Sequence, residues 1–101
     1  MSTKAIKQLE KMTKGPLTFA KMLHGIRLSD EVTQVELAEA VGISKGLVCD
    51  IEKGRRLPTI EQAIMISEYL GYPVQGFVSI LIQDQLRKAN LSMKVTLEKA
   101  A

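Results

Sequence analysis

The stretch TQVELAEAVGISKGLVCDIEKG, residues 33–54, decides the fold. In its first half apolar side chains recur at helical spacing, at Leu37, Ala38 and Val41, and predict a short amphipathic helix. Gly42 marks the end of that helix, because glycine adopts the left-handed backbone of a helix C-terminus without steric cost. Ser44 is a candidate N-cap for a second helix. The stretch therefore predicts two short helices joined by a tight turn.

The second of these helices has one apolar side and one nearly bare side. On a helical wheel Ile51, Ser44 and Glu52 lie within a quarter turn of Val48. The opposite side carries small or polar residues, at Gly46, Asp50 and Lys53. A short helix with so little on its outer side presents a surface rather than filling a core. The two helices together form a helix-turn-helix pattern.

Several residues at fixed spacing carry a resemblance to a known family. They are Gln34, Glu36, Leu37 and Ala38, then Gly42, Ile43 and Ser44, then Ile51, Glu52, Lys53 and Gly54. In these positions the chain resembles the lambda-repressor-like DNA-binding domains of the Cro/CI and Xre type. The resemblance extends to Arg27, Pro58, Thr59 and Gly71, and covers about residues 17–77. It implies an all-α, five-helix lambda-repressor-like DNA-binding domain.

Flanking signals predict the remaining helices of such a domain. Thr18 is a candidate N-cap for a first helix whose core stripe is Phe19, Met22, Leu23 and Ile26. Thr59 and Gln62 form a capping box for a fourth helix, which ends at Gly71. A fifth helix follows Pro73 and is longer than the short closing helix of the minimal domain.

The resemblance implies that the second helix of the pair, residues 44–53, enters the major groove of double-stranded DNA. The expected DNA-contacting residues are Gln34, Ser44, Lys45, Gly46, Leu47, Cys49, Asp50, Lys53, Arg55 and Arg56. Lys45 suits guanine or phosphate, Leu47 suits a thymine methyl group and Asp50 suits a cytosine amino group. Arg55 and Arg56 follow the helix and suit phosphate contacts, which set register without reading sequence.

Glu52 lies near the apolar side of its helix, where an isolated carboxylate is costly to bury. A charged partner is therefore expected. The resemblance identifies that partner as Arg27, in a structural ion pair that joins the first helix to the recognition helix. His24, on the same helix as Arg27, has no second histidine or cysteine nearby and is assigned no role.

The composition excludes several classes of function. The chain has 101 residues, of which 46% are hydrophobic, and this suits one small folded domain. Apolar runs are too short for a membrane span and the start has no signal-peptide core, so a cytoplasmic protein is expected. One cysteine and one histidine exclude an internal disulfide and a metal-ligand set. No nucleophile–histidine pair or phosphate-binding glycine loop indicates an enzyme or a cofactor.

Positive charge is concentrated at the two ends of the chain. Residues 17–54 carry four basic and six acidic side chains and so have a net charge of −2, although the whole chain is +3. Residues 1–16 form a lysine-rich N-terminal arm or short helix. One interpretation of this arm is a solvated, frayed segment, which we favour, and the other is a segment that binds the DNA backbone or a partner protein.

Residues 78–101 are expected to serve dimerisation. Val78, Ile82 and Leu86 form a second apolar stripe on the fifth helix, which suits either packing under the N-terminal arm or, as we prefer, a two-fold interface. Beyond the helix apolar residues alternate with polar ones, at Leu91, Met93, Val95 and Leu97, and predict a short C-terminal β-strand. That strand has no partner within the chain, so it pairs either with the strand of a second subunit or with a partner protein's sheet.

Together these features predict a homodimeric, sequence-specific DNA-binding transcriptional regulator of bacterial or phage origin, acting as a repressor. Two-fold symmetry then requires half-sites about 34 Å apart. The regulator acts alone or as the antitoxin of a toxin–antitoxin pair. The alternative is a protein-interaction module, such as a toxin-neutralising antitoxin, that binds through its terminal segments and for which DNA binding is secondary.

Overall fold

A computed structural model describes residues 16–98 and residue 100. These residues form five α-helices: α1 Phe19–Ser29, α2 Gln34–Val41, α3 Lys45–Glu52, α4 Ile60–Leu70 and α5 Val74–Lys88. The predicted all-α, five-helix architecture is therefore confirmed. The predicted N-terminal arm, residues 1–16, lies outside the described residues except for Pro16.

Local capping chemistry sets where the helices begin and end. The side chains of Thr18, Thr33, Ser44 and Thr59 each accept a hydrogen bond from the backbone N–H three residues later. Thr59 and Gln62 exchange both bonds of a capping box, since Gln62 Oε1 also accepts from Thr59 N at 3.0 Å. Gly42, with φ of 70°, ends α2 in the left-handed conformation.

The core forms where the apolar sides of all five helices meet. Its largest fully buried side chains include Phe19, Phe77, Met22, Leu23, Leu37, Ile51, Ile66 and Leu81. Phe19 of α1 and Phe77 of α5 pack edge to face, with ring centroids 5.8 Å apart and an interplanar angle of 87°. Helix α3 packs against α1 and α2, while α4 packs against α2 and α5. The core thus fixes α3 from one side and leaves its other side exposed.

Asp84 is a buried acidic residue that the sequence analysis did not single out. It lies on α5, seven residues after Phe77, and its Oδ2 accepts a hydrogen bond of 2.7 Å from the backbone N–H of Phe19. Arg87 Nη1 donates to Asp84 Oδ1 at 2.5 Å. Asp84 therefore caps the first turn of α1 from a different helix and joins the two ends of the domain.

The predicted C-terminal β-strand does not form in the single chain. Among the described residues there is no β-strand, and residues 91–98 have no regular secondary structure. A strand requires a neighbouring strand to share its hydrogen bonds, and residues 16–98 offer none. Instead Asn90, with φ of 58°, turns the backbone after α5, and the segment that follows bonds to glutamine side chains of that helix.

The second apolar stripe of α5 lies outside the core. Val78, Ile82 and Leu86 are each half-buried, and none belongs to the buried core cluster. Their role in a dimer interface stays a prediction. Within the described part of the chain, no helix is long and apolar enough to cross a membrane.

Candidate nucleic-acid interface

Helices α2 and α3 are joined by a three-residue turn whose geometry comes from Gly42 and Ile43. The backbone N–H of Ile43 donates to Ala38 O at 3.0 Å, which closes the end of α2, and the Ile43 side chain packs against the core. Val48 and Ile51 anchor α3 from the inner side and are almost fully buried. The two helices are therefore held at a fixed angle by a tight turn and by the core beneath them.

Arg27 and Glu52 form a nearly buried ion pair between α1 and the last residue of α3. Arg27 Nε lies 2.6 Å from Glu52 Oε2, and Arg27 Nη2 lies 2.9 Å from Glu52 Oε1, so the contact is bidentate. The two side chains are 9% and 3% exposed. Arg27 Nη1 also donates to Val32 O at 2.8 Å, in the connection between α1 and α2. One guanidinium thus joins α1, α3 and the intervening loop.

Two more side chains bond to the same carboxylate. His24 Nδ1 lies 2.8 Å from Glu52 Oε1, and Gln34 Nε2 donates to that oxygen at 3.3 Å. No role was expected for His24 from the sequence, although its position three residues before Arg27 places it on the same side of α1. Gln34 was expected at a phosphate, and in this structure one of its amide N–H groups is directed to Glu52 instead.

The pKa values of the pair favour its charged form. Burial raises the pKa of Glu52, but hydrogen bonds from Arg27, His24 and Gln34 and the charge of Arg27 outweigh burial, so the pKa lies below its usual value. The hydrogen bond to Glu52 raises the pKa of Arg27 against the opposing effect of its own burial. Both groups are therefore ionised throughout the neutral pH range.

The outer side of α3 is open and carries few side chains. Lys45, Gly46 and Lys53 are exposed, and Asp50 and Cys49 are half-buried. A Cβ atom added at Gly46 would meet only Ser44 Oγ, at 3.9 Å, so no packing constraint requires glycine there. Leu47 is partly buried and packs against the core, which limits how far it projects. Ser44 uses its hydroxyl oxygen to cap the helix through Leu47 N.

The basic loop after α3 is tied back to the helix end. The carbonyl oxygen of Asp50 accepts from Arg55 N at 2.9 Å and from Arg56 N at 3.4 Å. The Asp50 carboxylate lies 3.6 Å from Arg55 Nη1, in a contact that is largely exposed to solvent. Asp50 therefore positions Arg55 in this structure, and both arginines extend from the exposed end of α3.

An open groove of about 470 Å³ lies between the start of α2 and the start of α3. Its lining includes Thr33, Gln34 and Val35 on one side and Lys45 on the other. The backbone N–H groups of Gln34 and Val35 begin α2 and have no hydrogen-bond partner within residues 16–98. Unpaired N–H groups at a helix start beside a lysine favour an anion such as a phosphate, although the acidic Glu31 also lines the groove.

Comparisons with known proteins agree with this geometry. A family model described as helix-turn-helix matches residues 23–77, which include the whole of α2, α3 and α4. The chain is also 26% identical over 61 residues to the cryptic phage CTXphi transcriptional repressor RstR of Vibrio cholerae. That match covers 60% of this chain and 55% of the repressor, so the similarity spans only a little over half of the relative. The chain belongs to the lambda-repressor-like helix-turn-helix family of the Cro/CI and Xre type, whose members are DNA-binding regulators and not enzymes.

Proposed function

We propose that this protein is a homodimeric transcriptional repressor that binds double-stranded DNA sequence-specifically, with α3 in the major groove. One observation carries the proposal. Helix α3 is buried along Val48 and Ile51, is locked to α1 through Glu52, and leaves Lys45, Gly46 and Lys53 exposed on its outer side. A rigid, open helix of this kind suits docking in the major groove of the duplex.

Phosphate contacts supply most of the affinity in this proposal. Lys53, Arg55 and Arg56 lie at the exposed end of α3. The free N–H groups at the start of α2 lie near the opposite end of α3, beside Lys45. Clamps at both ends of a recognition helix hold it in register in the groove, because phosphate contacts position a protein without reading bases.

Base reading falls to a small set of side chains on α3. Lys45 reaches toward guanine, while Asp50, after leaving Arg55, accepts from a cytosine amino group. Gly46 lets the helix backbone approach the base edges closely. Leu47 and Cys49 are half-buried, so only the exposed part of each side chain can contact a base. Such a small reading surface makes a second subunit necessary for specificity. The two copies of α3 would then occupy half-sites about 34 Å apart.

The proposal is tested by fluorescence anisotropy with DNA from upstream of the protein's own gene and with a shuffled duplex of equal composition. The wild type is expected to prefer the upstream DNA by at least about 10³-fold. Gln34→Ala removes the side-chain amide, whose second N–H can donate to a phosphate oxygen, and is expected to weaken binding to both duplexes equally. Equal wild-type affinity for both duplexes contradicts sequence-specific binding, and no binding to either favours the protein-interaction alternative.

A further inference from the structure

We propose that residues 94–98, the end of the extended segment 91–98, form an antiparallel, two-stranded pairing with the same residues of a second copy, with Thr96 opposite the partner's Thr96. This inference rests on the proposed homodimer and specifies its interface. The surface involved is the backbone edge of the segment that faces away from α5, together with the side chains of Lys94 and Glu98.

The segment is held extended along α5 by two glutamine side chains. Gln83 Nε2 donates to Met93 O at 2.8 Å, and Val95 N donates to Gln83 Oε1 at 3.2 Å. Gln75 Nε2 donates to Leu97 O. The two glutamines lie eight residues apart on the helix, about 12 Å. The chain from Met93 to Leu97 spans about 13 Å only when it is extended, at about 3.3 Å per residue.

These bonds show which backbone edge the segment uses. The carbonyl and N–H groups that bond to α5 all belong to odd-numbered residues, at Met93, Val95 and Leu97. In an extended chain the backbone groups of successive residues point to opposite edges. The groups of Ser92, Lys94 and Thr96 therefore point away from α5, and none has a hydrogen-bond partner within the described residues. This is an unpaired strand edge.

Gln83 makes the same hydrogen bonds to the segment that a residue of a neighbouring β-strand would make. Its side-chain amide accepts from one backbone N–H and donates to the carbonyl two residues earlier, the pattern that a residue of a parallel strand presents. The inner edge is thus occupied by α5 at Met93, Val95 and Leu97, so the outer edge is the one that is open to a further strand. Leu91 and Met93 beside it are 49% and 57% exposed, which adds apolar surface to the site.

The sequence of the segment is complementary to itself at this edge. Antiparallel pairing joins outward-facing residues to outward-facing residues, so even-numbered residues must lie opposite even-numbered residues. Centring on Lys94 places two like charges opposite each other, which is destabilising. Centring on Val95 leaves Lys94 and Glu98 without charged partners. Centring on Thr96 places Lys94 opposite the partner's Glu98 twice, with Val95 opposite the partner's Leu97. A second copy therefore fits this edge better than an arbitrary strand.

A charge exchange tests the register. Lys94→Glu and Glu98→Lys each place like charges in opposition at both ends of the pairing, and each is expected to raise the dimer dissociation constant about tenfold. The double variant restores opposite charges in reversed order and is expected to return the constant to within about twofold of the wild type. The constants are measured by sedimentation velocity. Failure of the double variant to restore the dimer overturns the proposed register.

Disulfide cross-linking provides a second test that does not depend on charge. In a Cys49→Ser background, Thr96→Cys is expected to form a covalent dimer under mild oxidation, because opposite Cβ atoms in a pairing lie about 4.5–5.5 Å apart. Ser92→Cys lies on the same edge but is not opposite itself, and it is the matched control with little dimer expected. Equal cross-linking at the two positions contradicts the proposal.

DNA titration separates this inference from the proposed function. Wild-type protein and the charge variants are titrated with upstream DNA at concentrations above and below the dimer dissociation constant. If the protein dimerises and binds DNA but position 96 does not cross-link, the strand inference fails and the function stands. If position 96 cross-links but no DNA is bound, the inference stands and the DNA-binding proposal fails.

Discussion

Glu52 accepts hydrogen bonds from side chains of both α1 and α2, and so fixes the last turn of α3. Arg27→Ala is expected to destabilise the fold by about 3 kcal/mol, because a buried carboxylate loses its charged partner. The cost lies at the low end of the range for buried pairs since His24 and Gln34 remain bonded to Glu52. Urea unfolding measures it. Arg56→Ala, at an exposed arginine, is the control and is expected to change stability by less than about 0.5 kcal/mol.

The same carboxylate predicts how stability depends on pH. The pKa of Glu52 is lower in the folded protein than its usual value near 4.3, so ionised Glu52 stabilises the folded state. This contribution is fully present above the unfolded pKa and is lost as the pH falls through the lower folded pKa. In urea unfolding from pH 7 to pH 3, the stability difference between wild type and Glu52→Gln is expected to shrink below about pH 4.3. A constant difference across that range contradicts the role of ionisation.

Substitution of Gly46 is expected to change the stability of the protein and its DNA affinity in opposite directions. Gly46→Ala meets no close atom and replaces a weak helix former, so it is expected to stabilise the protein by up to about 1 kcal/mol. In the proposed complex the added methyl group lies against the base edges, and DNA affinity is expected to fall at least tenfold. Gly25→Ala, on α1 with no atom within 4 Å, is the control and is expected to stabilise without weakening DNA binding. Equal affinity of the two variants contradicts close approach at Gly46.

At the scale of elements, helix boundaries were predictable and the C-terminal strand was not. Thr18, Ser44 and Gly42 act on their own helix ends, so sequence alone carries the information. The alternation of apolar and polar residues after Asn90 indicates which side chains would lie on the same face of a strand. A strand also needs a second strand to pair with, and no local pattern supplies one. Glutamine amides of α5 satisfy part of the backbone instead.

Long-range contacts of polar residues were missed for a related reason. Asp84 lies seven residues after Phe77, on the buried side of α5, where an apolar residue is expected. An acidic residue at such a position indicates a buried hydrogen-bond partner, but helical periodicity does not identify that partner. Its partner, the Phe19 N–H, lies 65 residues earlier in the chain. His24 likewise bonds to a residue that only the packing of α1 against α3 brings near.

Asp84 links α5 to α1, and its removal is expected to loosen both elements. Asp84→Ala leaves a buried N–H of Phe19 without an acceptor, at a cost of about 1–3 kcal/mol. Thermal unfolding by circular dichroism measures the loss, and hydrogen exchange is expected to speed up at the Phe19 amide. Glu68→Ala removes the same charge from an exposed position on α4 and is expected to change the unfolding temperature little. Similar losses in both variants contradict the capping role.

At the scale of the molecule, the distribution of charge limits how DNA can be bound. Residues 17–54, which contain α1 to α3, have a net charge of −2 from the four basic and six acidic residues they carry. In the proposed homodimer, attraction to DNA comes from Lys45 and Lys53 locally, from Arg55 and Arg56 beyond α3, and from the same groups of the second subunit. In this proposal the surplus of acidic residues around α3 lowers non-specific affinity, and correct base contacts carry more of the binding than they do in a strongly basic domain.

The division between phosphate clamp and base reader predicts two different binding defects. Arg55→Ala combined with Arg56→Ala removes the four phosphate contacts proposed for these arginines in a dimer, so the slope of log K against log salt is expected to flatten by about 3–4. This variant weakens upstream and shuffled DNA equally. Lys45→Ala is expected to reduce the preference for upstream DNA by about 1–3 kcal/mol, with a smaller change of slope. Anisotropy titrations between 50 and 300 mM KCl on both duplexes, a range chosen to resolve such slopes, measure these effects. If the arginine variant instead alters sequence preference and keeps the wild-type slope, the loop reads bases and the assignment of roles around α3 is wrong.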